Sequence, residues 1–168
     1  LDPLGSRTTL INEVFFDEVR VPASNLLGVE NEGWKILMRG LNMERLVLAA
    51  ASCGQALKVI EIAKAFATER KAFGKSLTEY QVIAHRLAEM QMLTESARAM
   101  TFHTADMLDA GVNAVMETAT AKTIAAENAW KVADLGMSIL AGSGYVQGDM
   151  QRIFRDTRLG PIGGGTSD

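Results

Sequence analysis

Apolar side chains recur at every third or fourth position over three long stretches of the chain, with polar side chains between them. This spacing places the apolar residues on one face of a helix, so each stretch is predicted to be an amphipathic helix. Gly111 follows the second stretch and suits the left-handed turn that ends many helices. Long helices joined by short connections predict an all-α fold, an antiparallel up-down helical bundle. The predicted helices cover about residues 34–66, 78–110, 114–140 and, for a short fourth helix, 150–156.

A different pattern precedes the helices, in the stretch TTLINEVFFDEVRVP. Val14, Phe16, Val19 and Val21 favour extended backbone and Pro22 ends the run, so one β-strand is predicted here. A single strand cannot form a sheet domain of its own. Residues 1–30 are therefore expected to be a strand and a linker that lead into the bundle.

The composition fits a soluble globular domain. The chain has 168 residues, of which 48% are hydrophobic and 22% charged, with a formal charge of −3. That length suits one domain with a sizeable core. Three amphipathic helices and a short fourth one leave an apolar flank uncovered, which predicts self-association.

Several classes of function are disfavoured by the same composition. Basic and acidic residues are mixed along every segment, so no basic stripe exists to bind nucleic acid. The single cysteine, Cys53, excludes an intrachain disulfide and a cysteine-based zinc cluster, and no metal site is predicted. No run of about 18 apolar residues occurs, so no membrane span is expected. A targeting segment is not observable, and the compartment stays open.

One carboxylate lies within an otherwise apolar run, GLNMERLVLAAASCG. Steps of three and four positions from Leu41 to Leu48 pass through Glu44, which predicts Glu44 on the core-facing stripe and Arg45 about 100° away. A charged carboxylate there needs a partner, a hydrated pocket or a proton. Two interpretations stay open: a structural ion pair with another helix, or a general base in a desolvated site.

Two further motifs also allow two interpretations. The sequence ERKAFGKSL places Arg70, Lys71 and Lys75 at a predicted helix end, where basic residues either complement the helix dipole or bind an anion. The glycines of AGSGY and GGGT either form tight turns or let a flat cofactor approach the backbone. Neither glycine motif is a phosphate-binding loop in the strict sense, because no strand precedes the first and no Lys-Ser/Thr follows either.

Taken in order, four motifs resemble the C-terminal portion of acyl-CoA dehydrogenases. VFFDEVRVP resembles the strand that ends the family's middle β-domain, ERKAFGKSL..YQ its flavin-binding turn, LAGSGY its glycine loop and RDTRLGPIGGGTSD its closing active-site segment. The resemblance implies that residues 1–30 are the end of the β-domain and a linker. It implies that residues 31–168 are a C-terminal helical bundle that stops before a last helix.

The resemblance also implies a reaction. Family members use FAD to oxidise acyl-CoA thioesters to trans-2-enoyl-CoA: a glutamate removes the α-proton while a hydride leaves the β-carbon for flavin N5. The common base lies in a Tyr-Glu-Gly-Thr pattern, which here is Gly163, Gly164, Gly165 and Thr166, so that carboxylate is missing. A branch similar to isovaleryl-CoA and long-chain dehydrogenases places the base in a Leu-Glu-Arg-Leu pattern. NMERL matches it and makes Glu44 the candidate base.

The remaining site residues are assigned by the same resemblance. Asn42, Arg45, Gly164 and Gly165 correspond to positions near the acyl-CoA substrate, and Thr166 to a position near the flavin. The departures from the family pattern are Ala72 and Ser138, where a polar side chain and a glutamine are common. The other flavin contacts are expected at Arg70 (pyrophosphate), Phe73 (packing), Tyr80 and Gln81 (adenine half), Ser138 to Gly142 (from a neighbouring subunit) and Asp168.

Partners and alternatives follow from this assignment. An acyl-CoA substrate, an acceptor of the electron-transfer flavoprotein type and a homodimer or homotetramer are expected, in the cytoplasm or the mitochondrial matrix. One competing hypothesis is a helical self-association module without activity. Another is a related acyl-CoA oxidase or nitroalkane oxidase; the latter would place Asp at the base, and Glu44 argues against it.

Overall fold

Three long helices dominate the computed structural model, which describes residues 1–9 and 11–167. They pack on one another side by side, and a short helix near the end of the chain packs on the third. The predicted all-α fold is therefore confirmed. The helices are α1 (Gly33–Glu69), α2 (Gln81–Asp109), α3 (Val115–Leu140), α4 (Gly142–Tyr145) and α5 (Asp149–Thr157).

Cross-helix contacts establish the directions of the three long helices. The Asn128 amide donates to the carbonyl oxygen of Leu93 at 2.8 Å, and Lys131 pairs with Glu89 at 2.7 Å, so α2 and α3 run in opposite directions. Gly136 of α3 lies against Val59 of α1. The bundle runs up, down and up, so one of its ends carries the ends of α1 and α3 together with the start of α2.

Small side chains form much of the core, and they let the helices approach closely. A Cβ atom on Gly136 would lie 2.4 Å from Cγ1 of Val59, which shows how tightly α1 and α3 pack. Buried threonine hydroxyls are satisfied locally; those of Thr94, Thr101 and Thr118 each donate to the carbonyl four residues earlier. The buried alanines are Ala49, Ala56, Ala63, Ala67, Ala97, Ala114, Ala121, Ala125, Ala126, Ala129 and Ala133.

The core-facing stripe of α1 differs from the predicted one. Trp34 is 70% exposed and Leu37 52% exposed, and most other side chains in the first two turns of α1 are exposed as well. Small residues, from Ala49 onward, mark the buried face instead. One turn before Ala49, the same face of α1 carries Arg45, which is half-buried, whereas Glu44 is exposed. The predicted burial of Glu44 on the core stripe is wrong, since the large leucines indicated the wrong face.

A tight hairpin joins α1 to α2. Its strands are β1 (Lys71–Ala72) and β2 (Lys75–Ser76), paired antiparallel. The two loop residues, Phe73 and Gly74, have φ of +50° and +86°, the signs that a type I′ turn requires. A capping box on Ser76 then starts a short 3-10 turn before α2.

The strand predicted between Val14 and Val21 is absent. Residues 11–22 form no strand, and Phe15 and Phe16 are 83% and 80% exposed. A strand needs a hydrogen-bonding neighbour, and none lies beside this segment in residues 1–9 and 11–167. The first residues instead contact α5: Arg155 donates to the carbonyl oxygen of Leu4 at 2.7 Å, and the Ser6 amide donates to Asp156 at 2.6 Å.

The composition of α1 also meets a membrane-span criterion. The helix contains an 18-residue window with a mean hydropathy of 1.6, long and apolar enough to cross a membrane. Core helices of soluble proteins meet the same criterion, and α1 packs on α2 and α3. The absence of a membrane span therefore stays a prediction.

Candidate functional site

A cleft of about 250 Å³ lies between α1, α3 and the segment that follows α5. We call residues 158–167, which follow α5 without forming a helix, the closing loop. The cleft brings together residues far apart in sequence, including the two positions singled out as alternative sites of a base, Glu44 and Gly164. Its lining is Ser6, Glu44, Leu48, Ala51, Ser52, Gln55, Lys122, Ala126, Asp156, Leu159, Gly160, Gly163 and Gly164.

The two carboxylates of the cleft differ in their contacts. Asp156 accepts hydrogen bonds from the Ser6 amide at 2.6 Å and from Arg152 at 3.3 Å. Glu44 is exposed on α1 and has no hydrogen-bond or ion-pair partner among residues 1–9 and 11–167. Of the two interpretations left open for Glu44, the ion pair with another helix is not formed. Glu44 is the carboxylate of the cleft that is free to act on a ligand.

Arg45 was predicted about 100° away from the buried stripe of α1, but it lies on the half-buried side and reaches the closing loop. Its Nε donates to the carbonyl oxygen of Gly164 at 2.9 Å, and its Nη1 donates to Oδ1 of Asn42 at 3.3 Å. Asn42 and Arg45 are one turn apart on α1, so the amide oxygen helps to orient the guanidinium. The two expected substrate-side residues therefore form a single structural unit with the loop.

The closing loop needs its glycines. Gly164 and Gly165 have φ of +67° and +112°, values that other residues adopt only with strain. A Cβ atom on Gly164 would lie 2.7 Å from Cδ1 of Leu48, one turn along α1 from Glu44. The loop backbone thus lies against α1 in a space that a side chain at position 164 would fill.

Lys122 also reaches the closing loop, and the sequence did not single it out. This α3 residue is 3% exposed, and its Nζ donates to the carbonyl oxygen of Gly165. Burial lowers the pKa of the Lys122 ammonium, nearby Arg45 lowers it further, and Glu127 opposes both. Lys122 lies on the face of α3 that carries buried Thr118 and Ala121, so its place on that small-residue stripe was the available signal.

The expected flavin residues of the hairpin lie at the other end of α1. Arg70, Phe73 and Gln81 are exposed, and Phe73 is 99% exposed although its backbone is in the left-handed region. Tyr80 is half-buried; its hydroxyl donates to the carbonyl oxygen of Ala72 at 2.7 Å, and Lys75 lies 4.2 Å from the centre of its ring. A cation and an unpacked aromatic ring fit a ligand that carries phosphate and a planar ring system.

Ser138 and Gly142 lie at the same end, where α3 stops. Both are exposed, and a Cβ atom on Gly142 would meet no heavy atom within 4 Å. The backbone of Gly142 is therefore open to an approaching group. Ala141 between them has φ of +50° and ends the helix.

Thr166 lies beside a second, polar hollow lined also by Glu127, Trp130 and Arg158. Asp168, the last of the expected flavin residues, lies outside the described residues. Across the described ranges, 1–9 and 11–167, no three His, Cys, Asp or Glu side chains are arranged to hold a metal ion.

Comparisons with known proteins match almost the whole chain. The family model for the C-terminal domain of acyl-CoA dehydrogenases matches residues 31–168. The mitochondrial short-chain specific acyl-CoA dehydrogenase of Mus musculus is 37% identical over 168 residues, 99% of this chain and 41% of that protein. The mitochondrial isovaleryl-CoA dehydrogenase of Pongo abelii is 35% identical over 169 residues, 100% of this chain and 40% of that protein.

A solved structure agrees with the fold. Butyryl-CoA dehydrogenase from Megasphaera elsdenii superposes with a TM-score of 0.96 at 34% identity, over 99% of this chain and 44% of that one. The chain thus spans less than half the length of these relatives. The identities of 37% and 35% do not separate the short-chain from the isovaleryl branch, so the predicted branch stays a prediction.

Proposed function

Because the chain belongs to the acyl-CoA dehydrogenase family, we propose that it supplies the proton-abstracting base and part of the flavin site of an FAD-dependent acyl-CoA dehydrogenase. The reaction is the α,β-dehydrogenation of an acyl-CoA thioester to a trans-2-enoyl-CoA. A flavin, the cofactor of this family, accepts the hydride that leaves the β-carbon. The observation that carries the proposal is the cleft that Glu44 lines together with a closing loop of glycines.

Glu44 is the proposed base because, of the two carboxylates in the cleft, it is the one without a hydrogen-bond or ion-pair partner in the described residues. Asp156 is held by Ser6 and Arg152, and the position of the common family base is Gly164, which cannot accept a proton. An α-proton next to a thioester is weakly acidic, so its removal needs a carboxylate close to the α-carbon. The Glu44 carboxylate would take that proton.

The walls of the cleft suit this step. Leu48, Ala51 and Leu159 supply apolar surface beside Glu44. An acyl chain that fills the cleft would displace water from this surface, which strengthens the carboxylate as a base and protects the enolate from protonation. The volume of about 250 Å³ is that of this chain alone, and further walls from elsewhere in the protein would enlarge and close the site.

The flavin site is proposed to form between two copies of the chain. At about 1.5 Å per residue, Glu44 and Arg70 are separated by about 39 Å along α1. An extended flavin dinucleotide is much shorter, so one FAD cannot contact Arg70 and react beside Glu44 of the same chain. Arg70, Phe73, Tyr80 and Gln81 would then bind the FAD of a neighbouring subunit, or of a surface beyond this chain, with the exposed Gly142 backbone at the same end.

A homodimer or homotetramer is part of this proposal. Large apolar side chains are exposed on α1 and α2, among them Trp34, Val47, Met92 and Phe102. Exposed apolar surface of this extent is typical of association surfaces. The alternative of a helical self-association module without activity rests on the same surface, and it differs in predicting no role for Glu44.

Other parts of the proposal rest on family membership. Residues 1–30 would complete a preceding β-domain. The segment at 14–21 would form a strand there by pairing with a strand of that domain. The reduced flavin would pass its electrons to an acceptor of the electron-transfer flavoprotein type. The compartment would be the cytoplasm or the mitochondrial matrix, and the branch would be the isovaleryl or long-chain one, as the position of Glu44 suggests.

The test uses a full-length flavoprotein that contains this chain. Acyl-CoA substrates are added anaerobically, and loss of the yellow flavin absorbance is followed in wild type, Glu44→Gln and Glu61→Gln. Glu61 is the matched control, an exposed α1 carboxylate paired with Lys58 at 2.8 Å. We expect Glu44→Gln to slow bleaching at least 100-fold, as loss of a catalytic base does, and Glu61→Gln to leave it unchanged. Equal rates for Glu44→Gln and wild type would reject Glu44 as the base.

A further inference from the structure

Lys122 is a buried lysine of α3. Its side chain is 3% exposed, and no carboxylate lies within ion-pair distance of it in the part of the chain that the structure describes. Burying an ammonium group costs several kcal/mol unless polar contacts replace water. The contact that Lys122 makes is its hydrogen bond to the carbonyl oxygen of Gly165 in the closing loop.

A second cation binds the neighbouring carbonyl. Arg45, from α1, donates to the carbonyl oxygen of Gly164. Two successive loop carbonyls are thus held by side chains from two different helices. Charge-assisted hydrogen bonds of this kind are about twice as strong as neutral ones, so the pair can define the path of a short loop.

The closing loop needs such anchors because of its sequence. Gly163, Gly164 and Gly165 have no side chains to pack, and glycine has more backbone freedom to lose than any other residue. The backbone bonds at the loop's two sides, from Gly163 to Leu159 and from Ser167 to Pro161, leave the carbonyls of Gly164 and Gly165 to the cations.

We propose that Lys122 is a positioning residue that holds the closing loop as a fixed wall of the cleft beside Glu44. Lys122 reaches the loop from α3, beneath the cleft that it also lines. A fixed wall determines where an acyl thioester lies relative to the Glu44 carboxylate. The catalytic consequence rests on the proposed dehydrogenation, whereas the anchoring of the loop does not.

The first experiment measures the loop directly. Hydrogen–deuterium exchange is recorded for peptides covering 159–167 in the full-length protein. Lys122→Met keeps an unbranched buried chain and removes the charge and the donor, while Lys122→Arg keeps both. The control is Lys131→Met, on the same helix but 56% exposed and paired with Glu89. We expect exchange in 159–167 to rise at least fivefold in Lys122→Met, to stay near wild type in Lys122→Arg and to be unchanged in Lys131→Met.

Two results of this experiment would overturn the anchoring. One is exchange in 159–167 that is the same in Lys122→Met as in wild type. The other is an increase spread evenly over α1, α2 and α3, which would make Lys122 a general stabilising residue.

The second experiment measures the catalytic consequence with acyl-CoA substrates. A displacement of about 1 Å in a reacting group can cost up to about 100-fold in rate. We expect Lys122→Met to lower kcat between 10-fold and 100-fold with less than a threefold change in KM, and Lys122→Arg to restore at least half of the loss in log kcat. If wild type is active and Lys122→Met has the same kcat as wild type, the positioning role is overturned.

A failure of the proposed function would give a different result from a failure of the loop anchoring. A wild-type flavoprotein that no acyl-CoA bleaches would reject the dehydrogenation, and the catalytic consequence with it. The exchange data would still decide whether Lys122 anchors the closing loop.

Discussion

Arg45 of α1 donates its Nε hydrogen to the carbonyl oxygen of Gly164 at 2.9 Å, across 119 positions of sequence. This contact joins the helix that carries Glu44 to the loop where the family's common base would lie. The contact holds the loop backbone against α1, so the segment with glycine at position 164 still forms a wall of the cleft.

Moving the carboxylate across the cleft tests whether the two positions are equivalent. In Glu44→Gly/Gly164→Glu, a new side chain would meet Leu48 at 2.7 Å in a left-handed backbone, a strain of roughly 1–2 kcal/mol. We expect the double variant to regain a small part of the flavin-reduction rate, and a third substitution, Leu48→Ala, to increase that recovery. The rate is measured by flavin bleaching, with Leu48→Ala alone as the control. A triple variant no faster than Glu44→Gly would contradict the idea that either position can serve.

Two glycines in long helices are expected to respond oppositely to alanine. A Cβ on Gly54 meets nothing within 4 Å, so Gly54→Ala should stabilise α1 by up to about 1 kcal/mol. A Cβ on Gly136 would lie 2.4 Å from Val59, so Gly136→Ala should destabilise the protein by about 1–2 kcal/mol despite the better helix propensity. Denaturant unfolding gives both values. Stabilisation by Gly136→Ala would show that α1 and α3 can separate at little cost.

Cys53 is expected to be unreactive until the bundle opens. The thiol is 7% exposed, lies 3.7 Å from the Thr101 hydroxyl and has a pKa raised above 9.0 by burial. Only the thiolate attacks a disulfide reagent, so labelling at pH 8 should be slow in the folded protein and fast in urea. Rapid labelling of native protein would show that α1 and α2 separate readily.

The same pKa has a consequence for stability. The folded state holds the Cys53 proton more tightly than the unfolded chain does, so the contribution is complete below pH 9.0 and is lost as pH rises toward the raised value. The free energy of unfolding of wild type, measured relative to Cys53→Ala, should therefore fall above pH 9. A difference that is constant with pH would contradict the assigned direction of the shift.

Lys122 should show the opposite dependence on pH. Burial lowers the pKa of Lys122 below 10.5, because desolvation disfavours the charged ammonium in the folded state. As pH rises from the lowered value toward 10.5, the unfolded chain binds the proton more strongly, and wild type should gain stability relative to Lys122→Met. Unfolding of both proteins between pH 7 and pH 10 measures the difference. A decrease over that range would show that the charged form is favoured in the folded state.

A substitution in the hairpin turn is expected to change protein stability and flavin binding in opposite directions. Phe73 is exposed at a position with φ of +50°, which asparagine tolerates better in a type I′ turn. Phe73→Asn should stabilise the protein by about 1 kcal/mol or less, and, if Phe73 packs on the flavin, it should weaken flavin retention. Thermal unfolding and the flavin content after gel filtration measure the two effects. Unchanged retention in Phe73→Asn would remove Phe73 from the flavin site.

Much of the architecture could be predicted from local sequence. The three long helices and the turn at Gly111 follow from a 3.6-residue period and from glycine's tolerance of positive φ, both of which act within a few residues. The strand predicted at 14–21 is not formed, because a strand exists only with a neighbour and local sequence does not show whether one is present. Family membership could also be predicted from the sequence, because four motifs in the same order resemble the family.

Only the tertiary structure decided which face of α1 is buried. Alanine, serine and cysteine mark that face, and such residues give little hydrophobic signal, so the prediction followed the larger leucines and reversed Glu44 and Arg45. The cleft has the same origin: Lys122, Asp156 and Gly164 meet Glu44 there because helix packing brings distant segments together. Local periodicity determines where a helix lies in the sequence, whereas its partners determine what each of its faces contacts.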